Sequence, residues 1–416
     1  MRWRSILSMI FFTFLVGTVA FAKQDLETKA KAVQKYLKEN KISGWLLYDF
    51  HGNNPVATEF VQPKGMQTRR WYYFIPQSGS PWGLIHRIEQ ANFKGLYGNL
   101  EVYSSWEEQK RKLKEILAGH KEIAMEYSPL NAIPYVSRVD AGTIELLKSF
   151  GLKVISSADL VQYFQARWDK EAYLTHKEAV NALMEIKDKT FKLVRDKIKA
   201  NQKITEYDLQ QFIWNQYKQY QMISDYPPIC AVNENAGNPH YEPTKENHQE
   251  IKKGDFLLID IWAKKDRSGS IYGDITWTAY VGEKVPEKYV MIFNLVKEAR
   301  DEAVKFLKDN WKKKTIHGWQ VDDVSRGVIK KAGYADFFTH RTGHSIATEV
   351  HGNGVNIDNF ETKDERKIIP GVGFSIEPGI YLKNFGVRSE IDVYAGEDSI
   401  EVTSLPLQTE IIPLLK

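Results

Sequence analysis

Apolar residues recur at helical spacing from Asp25 to Asn40, at Leu26, Ala30, Val33, Tyr36 and Leu37, and predict a first helix. Gly44-Trp45-Leu46-Leu47-Tyr48 reads as a buried strand, and Gly52-Asn53-Asn54-Pro55 as a turn. Further strands are expected at Trp71–Ile75, Gly83–Ile85 and Ile123–Tyr127, with helices at Trp106–Ala118 and Ala141–Phe150. Alternating strands and helices describe an α/β unit. From Asp169 to Ala200 the pattern becomes one long amphipathic helix rich in Lys and Glu, which places a domain boundary near residue 168. A second helix starts at Thr205, where Thr205 and Asp208 fit a capping box. Strands and turns follow from about residue 225, with helices near 286–309 and 320–332.

The first 22 residues have a different pattern. Arg2 and Arg4 precede an almost wholly apolar run from Ile6 to Ala20, and Ala20-Phe21-Ala22 supplies a small-x-small end. That order is expected of a cleaved secretory leader. The run is short of the roughly 20 residues a stable membrane span needs. The expected organisation is a leader at 1–22, an α/β domain at 23–168 and a catalytic domain at 169–416, with a secreted or periplasmic mature chain and no membrane span.

Composition narrows the chemistry. The balance of 57 Lys+Arg against 53 Asp+Glu gives a net charge of +4. That is too even for nucleic-acid binding through a broad basic surface. Cys230 is the single cysteine, so intrachain disulfides and thiolate metal clusters are excluded. It is read as a buried apolar residue.

Five segments hold acids or histidines where a plain fold would not put them. Asp260 interrupts the apolar run Phe256–Trp262, a strand buried on both faces. A carboxylate there is costly unless paired or coordinated. Asp274 and Thr276 share one face of a strand over 271–280, opposite Ile275 and Trp277. His344 lies in Thr342-Gly343-His344-Ser345, with His340 before it and His351 after. Glu377 ends the strand Phe374–Ile376 at a Pro-Gly turn. Arg388, Glu390 and Asp392 share one face of an expected strand over 387–393.

Taken singly, each has an ordinary explanation as an ion pair or a structural histidine. As a set, Asp260, Asp274, His344, Glu377 and Glu390 form a candidate carboxylate-rich metal site. The four carboxylates carry a charge that two divalent cations neutralise; without cations they would repel and take up protons. Oxygen-rich coordination with one imidazole suits manganese, iron, cobalt or zinc. Two such ions about 3.5–4 Å apart can activate a water and polarise a carbonyl, the chemistry of amide or ester hydrolysis.

The order Asp, Asp, His, Glu, Glu, with Asn238-Pro239-His240-Tyr241 upstream and Val350-His351 after the histidine, resembles the pita-bread-fold metallopeptidases. That group includes Xaa-Pro aminopeptidases, prolidases, methionine aminopeptidases and the metal-free creatinases. The resemblance covers about 170–410 and extends to 24–165 as a creatinase-type N-terminal domain. It implies an α+β chain with a pita-bread catalytic domain behind a smaller α/β domain.

It further implies that Asp260 chelates one metal, that Asp274 and Glu390 bridge two, and that His344 and Glu377 hold the other. Thr276 would orient the bridging aspartate. His240 and His351 would contact the tetrahedral intermediate and the scissile group. Arg388 would help bind the substrate's carboxylate end, and His340 would line the pocket beyond the cleaved bond. Manganese is the foremost cofactor by this resemblance, with cobalt, zinc or iron as alternatives. The expected activity is hydrolysis of short peptides at Xaa-Pro bonds by a metal-bridging hydroxide, and the expected assembly a homodimer. The alternatives are another hydrolase on this fold, such as a general aminopeptidase or an amidinohydrolase, and a non-catalytic extracytoplasmic binding protein.

The chain departs from the family pattern at several positions. The Asp260–Asp274 hairpin is lengthened by Lys264–Ser270, Ser345-Ile346-Ala347 replaces the usual glycines, Gly352 replaces an acid, and Trp277 stands where arginine is common. These changes touch the pocket wall and leave the five ligands in place.

Overall fold

A computed structural model describes residues 25–416; the expected leader lies outside the described residues. The N-terminal half is built on a mixed six-stranded sheet. Its strands are β1 (Gly44–Asp49), β2 (Trp71–Pro76), β3 (Trp82–His86), β4 (Asn99–Tyr103), β5 (Glu122–Met125) and β6 (Lys153–Ser156), in the order β4-β3-β2-β1-β5-β6. The two central strands, β2 and β1, are buried at every position because both faces are covered. Trp45, Leu47, Trp71, Tyr73 and Ile75 pack under helices α1 (Leu26–Glu39) and α2 (Pro55–Val61). The alternate residues Leu46, Tyr48, Tyr72 and Phe74 pack under α3 (Trp106–Ile116) and α4 (Ala141–Ser149). The turn expected at 52–55 runs directly into α2, with Pro55 at its first position and Asn54 as its cap. Seven residues are too few for helical periodicity to stand out.

A short helix α5 (Ala158–Val161) and the segment to Trp168 then lie against loops of the second half. Gln162 Nε2 donates to Lys367 O at 2.9 Å, and its Oε1 accepts from Val355 N at 2.7 Å. Trp168 Nε1 donates to Ile346 O at 3.0 Å, beside the segment that carries His344.

The C-terminal half opens with α6 (Lys170–Lys199) and α7 (Glu206–Gln219), where Thr205 and Asp208 form the expected capping box. These helices cover one face of a sheet made from β7 (Met222–Ile223), β8 (Ile229–Val232), β9 (Phe256–Lys265), β10 (Gly273–Tyr280) and, at the far C-terminus, β17 (Ile412–Pro413). Leu257, Ile259, Ile261 and Ala263 of β9, with Ile275, Trp277 and Ala279 of β10, form the core on that side. Cys230 is buried in the same cluster. Helices α8 (Glu287–Asn310) and α9 (Gly318–Lys331) support a second sheet of β11 (Ser345–Ile346), β12 (Gly373–Ile376), β15 (Ile391–Ala395) and β16 (Ile400–Val402). Between β12 and β15 lies the hairpin of β13 (Gly379–Leu382) and β14 (Phe385–Arg388). Among the described residues no helix is long and apolar enough to cross a membrane.

One expected strand is two. The run 387–393 breaks at Ser389-Glu390, because β14 pairs with β13 and β15 pairs with β12. The chain changes sheets there, while Arg388, Glu390 and Asp392 all still reach groups on β10 or its neighbour β9.

Gly343 shows how tightly this architecture sets the ligand histidine. A Cβ at Gly343 would lie 2.0 Å from Ser375 O, so the backbone before His344 must be bare to lie against β12. Gly343→Ala is expected to destabilise the fold by about 1–3 kcal/mol through overpacking. Chemical denaturation checks this, and an unchanged midpoint would contradict the close approach.

Candidate metal centre and substrate cleft

The site forms where the polar faces of the two sheets meet. On β9 and β10 the side chains opposite the apolar core are Asp260, Asp274 and Thr276, with Asp260 paired across the ladder to Thr276. On the other sheet, Phe374, Ile376, Ile391 and Val393 point into a core, so Ser375, Glu377, Glu390 and Asp392 point the other way. A cleft of about 740 Å³ opens onto this meeting point. All five expected ligands line it, as do His240, His340, His351 and Arg388.

Three of the five expected ligands converge, and the other two lie beside them. One ligand atom each from Asp274, His344 and Glu390 lies within 4.8 Å of the others. His344 Nε2 is 3.3 Å from Glu377 Oε1 and 3.6 Å from Asp274 Oδ2. Its Nδ1 faces Ser345 O at 3.3 Å, an arrangement that leaves the Nε2 lone pair for a cation. Asp260 joins the group through Arg388, whose Nη2 donates to Asp260 Oδ2. The same guanidinium donates from Nε to Thr276 Oγ1 at 3.1 Å and from Nη1 to Tyr381 OH at 2.9 Å.

Thr276 acts on a different partner from the expected one. Its hydroxyl donates to Glu390 Oε2 at 2.8 Å, not to Asp274. Residues two apart on a strand are about 7 Å apart along it, whereas Glu390 arrives from the facing sheet. Asp274 is positioned instead through its backbone: its N–H donates to Asp392 Oδ2 at 3.0 Å.

Electrostatics show what the cluster lacks. Burial pushes the carboxyl groups of Asp274 and Glu390 well above the usual range, and neighbouring carboxylates add to the effect. Burial raises Glu377 to about 7, against the pull of Arg388. Burial also holds His344 well below its ordinary value. Asp260 Oδ1 and Asp274 Oδ1 are buried without a hydrogen-bond donor among the described residues. Buried carboxylate oxygens without donors are rare and costly. Four acids, one imidazole with a free lone pair and two orphaned oxygens fit divalent cations of the oxygen-preferring and borderline kind.

The flanking histidines are held differently. His340 lies in a chain of hydrogen bonds: Arg388 donates to Tyr381 OH, whose oxygen lies 2.6 Å from His340 Nε2, and His340 Nδ1 faces Arg341 O at 2.7 Å. Burial, reinforced by Arg388, lowers its pKa to about 3. His351 packs edge-on against His344, with ring centroids 4.4 Å apart. Dehydration in the cleft, with Arg341 and His240 nearby, lowers its pKa to about 4 while one edge stays open to solvent. His240, also on the cleft lining, is exposed.

Several contributors were not singled out from sequence. Ser375 Oγ donates to Glu377 Oε1 at 3.0 Å and accepts from His344 N at 2.9 Å, tying two ligands together. Its place two residues before Glu377 on one strand was a usable signal. Tyr381, Arg341 and His176 offered none. His176 is fully buried on α6, with Nδ1 2.6 Å from Tyr272 O and Nε2 2.7 Å from Thr403 Oγ1, beside Asp392 at 3.8 Å.

The comparisons agree with this geometry. Residues 171–397 match the model of metallopeptidase family M24, more than half of the chain, and the protein belongs to that family. A Mycoplasma genitalium protein whose name carries a provisional Xaa-Pro aminopeptidase assignment is 33% identical over 190 residues, 44% of this chain and 48% of that one. The match thus spans about half the length of that relative. A prolidase from Thermococcus sibiricus superposes with a TM-score of 0.60 at 22% identity, covering 94% of this chain and 100% of the other. An X-prolyl aminopeptidase from Caenorhabditis elegans, described as having a di-nuclear active site, gives 0.65 at 18% identity, over 96% of this chain and 65% of that one. The protein is therefore a metallopeptidase of family M24, and it shares the pita-bread fold of that prolidase and that X-prolyl aminopeptidase.

Burial holds the His176 pKa at about 4, below the unfolded value near 6.5. Above pH 6.5 both states are neutral there and its contribution is complete. As pH falls from 6.5 to 4 the unfolded chain binds the extra proton and stability drops, by up to about 1.4 kcal/mol per pH unit. His176→Gln is expected to flatten that part of the stability–pH curve, measured by denaturant unfolding. An identical slope in the variant would show that His176 is not the titrating group.

Proposed function

We propose that the chain is a dinuclear metal-dependent peptidase that cleaves Xaa-Pro bonds in short peptides outside the cytoplasm. The observation that carries this reading is the set of five ligands around two orphaned buried carboxylate oxygens, at the floor of a cleft edged by histidines. Asp260 would serve one ion, His344 and Glu377 the other, and Asp274 and Glu390 would be shared by both, as the family resemblance implies. When bound, two divalent ions, manganese foremost, supply a water of lowered pKa and polarise the scissile carbonyl.

The protein's own groups do the rest. Arg388 is buried and permanently charged, and it offsets part of the negative charge whether the carboxylates hold protons or cations. Thr276 and Ser375 fix Glu390 and Glu377 by single hydrogen bonds. His351 is neutral at pH 7 and has an open edge, so it can present an N–H to the oxygen that gains charge in the transition state. His240, which also lines the cleft, would assist the departing amine.

Location outside the cytoplasm rests on the basic-apolar-small order of residues 1–22. A homodimer belongs to this reading through the family resemblance. The decisive test is release of free amino acid from a panel of Xaa-Pro and Xaa-Leu dipeptides and tripeptides with manganese, cobalt, zinc or no metal. Metal-dependent turnover confined to Xaa-Pro members supports the reading, and metal-bound protein inert toward every peptide overturns it.

Glu390→Ala is expected to lose both ions, because its carboxylate is assigned to each; elemental analysis showing two ions retained would refute the bridging role. His351→Ala is expected to lower kcat by about 10²–10³-fold with metal content unchanged. Steady-state kinetics on the same panel read this, and full activity would remove His351 from the mechanism.

A further inference from the structure

The N-terminal half carries a cavity of its own. It holds about 540 Å³ and shares no lining residue with the cleft over the metal centre. It opens at the carboxyl edge of the six-stranded sheet, where Asp49 ends β1, His86 ends β3 and Tyr103 ends β4. Open α/β sheets bind ligands at that edge. Three arginines line the cavity, Arg69, Arg70 and Arg138.

Each arginine is anchored by its backbone while its head stays available. Arg69 N donates to the buried Glu89 Oε2 at 3.3 Å, Tyr103 OH donates to Arg70 O at 2.6 Å, and Arg138 N donates to Glu126 O at 2.8 Å. Among the described residues none of the three guanidinium groups forms an ion pair. Arg69 uses one donor on Thr68 Oγ1 at 2.8 Å. The acids at the cavity serve backbone groups instead. Asp49 accepts from Gly52 N at 3.0 Å and Asn54 N at 2.8 Å, and Asp140 accepts from Thr143 N and Oγ1, both at 2.8 Å. Three positive charges thus face two negative ones, and the cavity is net positive. Arg70 lies near enough to Tyr48 and Tyr103, on the buried floor, for its charge to act on both phenols. At the rim, Trp106 is 61% exposed and Phe50 42% exposed. Large aromatic side chains left this open offer flat faces to a ring.

We propose that this cavity binds a phosphate monoester joined to a planar ring, the chemistry of a nucleoside monophosphate. A carboxylate satisfies one guanidinium fork, whereas a phosphate monoester brings close to two negative charges and three acceptor oxygens and can serve more than one fork at once. Trp106 and Phe50 would hold the ring at the rim. The volume falls within the range of small-ligand sites, roughly 300–1,000 Å³. The site stands independently of the peptidase reading. One loop joins it to the cleft: Arg138 comes three residues after Tyr135, whose hydroxyl accepts from Arg341 Nη1 on the cleft wall.

The test is calorimetric titration of the metal-loaded protein with adenosine monophosphate, inorganic phosphate and adenosine. The monophosphate is expected to bind one to one, more tightly than phosphate or adenosine. Arg70→Gln and Arg138→Gln are each expected to weaken it about 10- to 100-fold, the size of a lost charge-assisted hydrogen-bonded pair. Arg70→Lys is expected to keep part of the affinity, which separates lost charge from lost fold. Trp106→Ala is expected to weaken the monophosphate and leave phosphate unchanged. Monophosphate binding that persists in Arg70→Gln but vanishes when a chelator strips the metals would put the phosphate on the metal centre and overturn the proposal. Adenosine binding as tightly as the monophosphate would overturn it by showing no role for the phosphate. A monophosphate no tighter than phosphate would remove the ring from the ligand and overturn it as well, as would no binding of the monophosphate at all.

Discussion

Four carboxylates brought into one buried space are the constraint on which this structure depends. Each of Asp260, Asp274 and Glu390 is nearly inaccessible to water, and Glu377 is only slightly less so. Such groups cannot all be ionised together without positive charge nearby. The chain supplies one permanent charge on the spot, Arg388, and leaves two oxygen atoms without a protein donor. The rest of the deficit is of the size and chemistry that divalent cations meet. The site is thus incomplete as protein alone, which is what a metallopeptidase requires.

Holding such a cluster together against its own repulsion falls to the surrounding architecture. Two sheets each turn an apolar face to helices and a polar face to one another, so burying the cores and gathering the acids are one event. The hydrogen bonds from Asp274 N to Asp392 and from Thr276 to Glu390 join the two faces across the gap, and Ser375 ties His344 to Glu377 within one of them. Their contribution is geometric: each removes a degree of freedom from a ligand that must sit within tenths of an ångström of its place.

The N-terminal half takes part in this through contact. Gln162 and Trp168 bond to backbone near 346, 355 and 367, the loops around His344 and His351. Tyr135 reaches the cleft wall itself. A loop that lines a cleft gains precision from a second body packed on it, and the shape of the cleft mouth becomes a property of both halves.

Residue type and local period were enough to find the doubly buried strand at 256–262, the capped helix at 205 and five acid and histidine residues that the fold brings to one cleft. An acid inside an apolar strand has few physical explanations, and five such anomalies in one chain share one. Period also gave the facing of Asp274 and Thr276, since side chains on a strand alternate by necessity. What the chain does at Ser389-Glu390 was beyond its reach, because a change of sheet depends on which strands pair and not on the residues between them. The partner of Thr276, the occupied donors of Arg388, the buried His176 beneath Asp392 and the meeting of Tyr135 with Arg341 were hidden for the same reason. Apart from the Arg388–Tyr381 bond, each joins residues more than 100 positions apart, and proximity over that separation is created by packing alone.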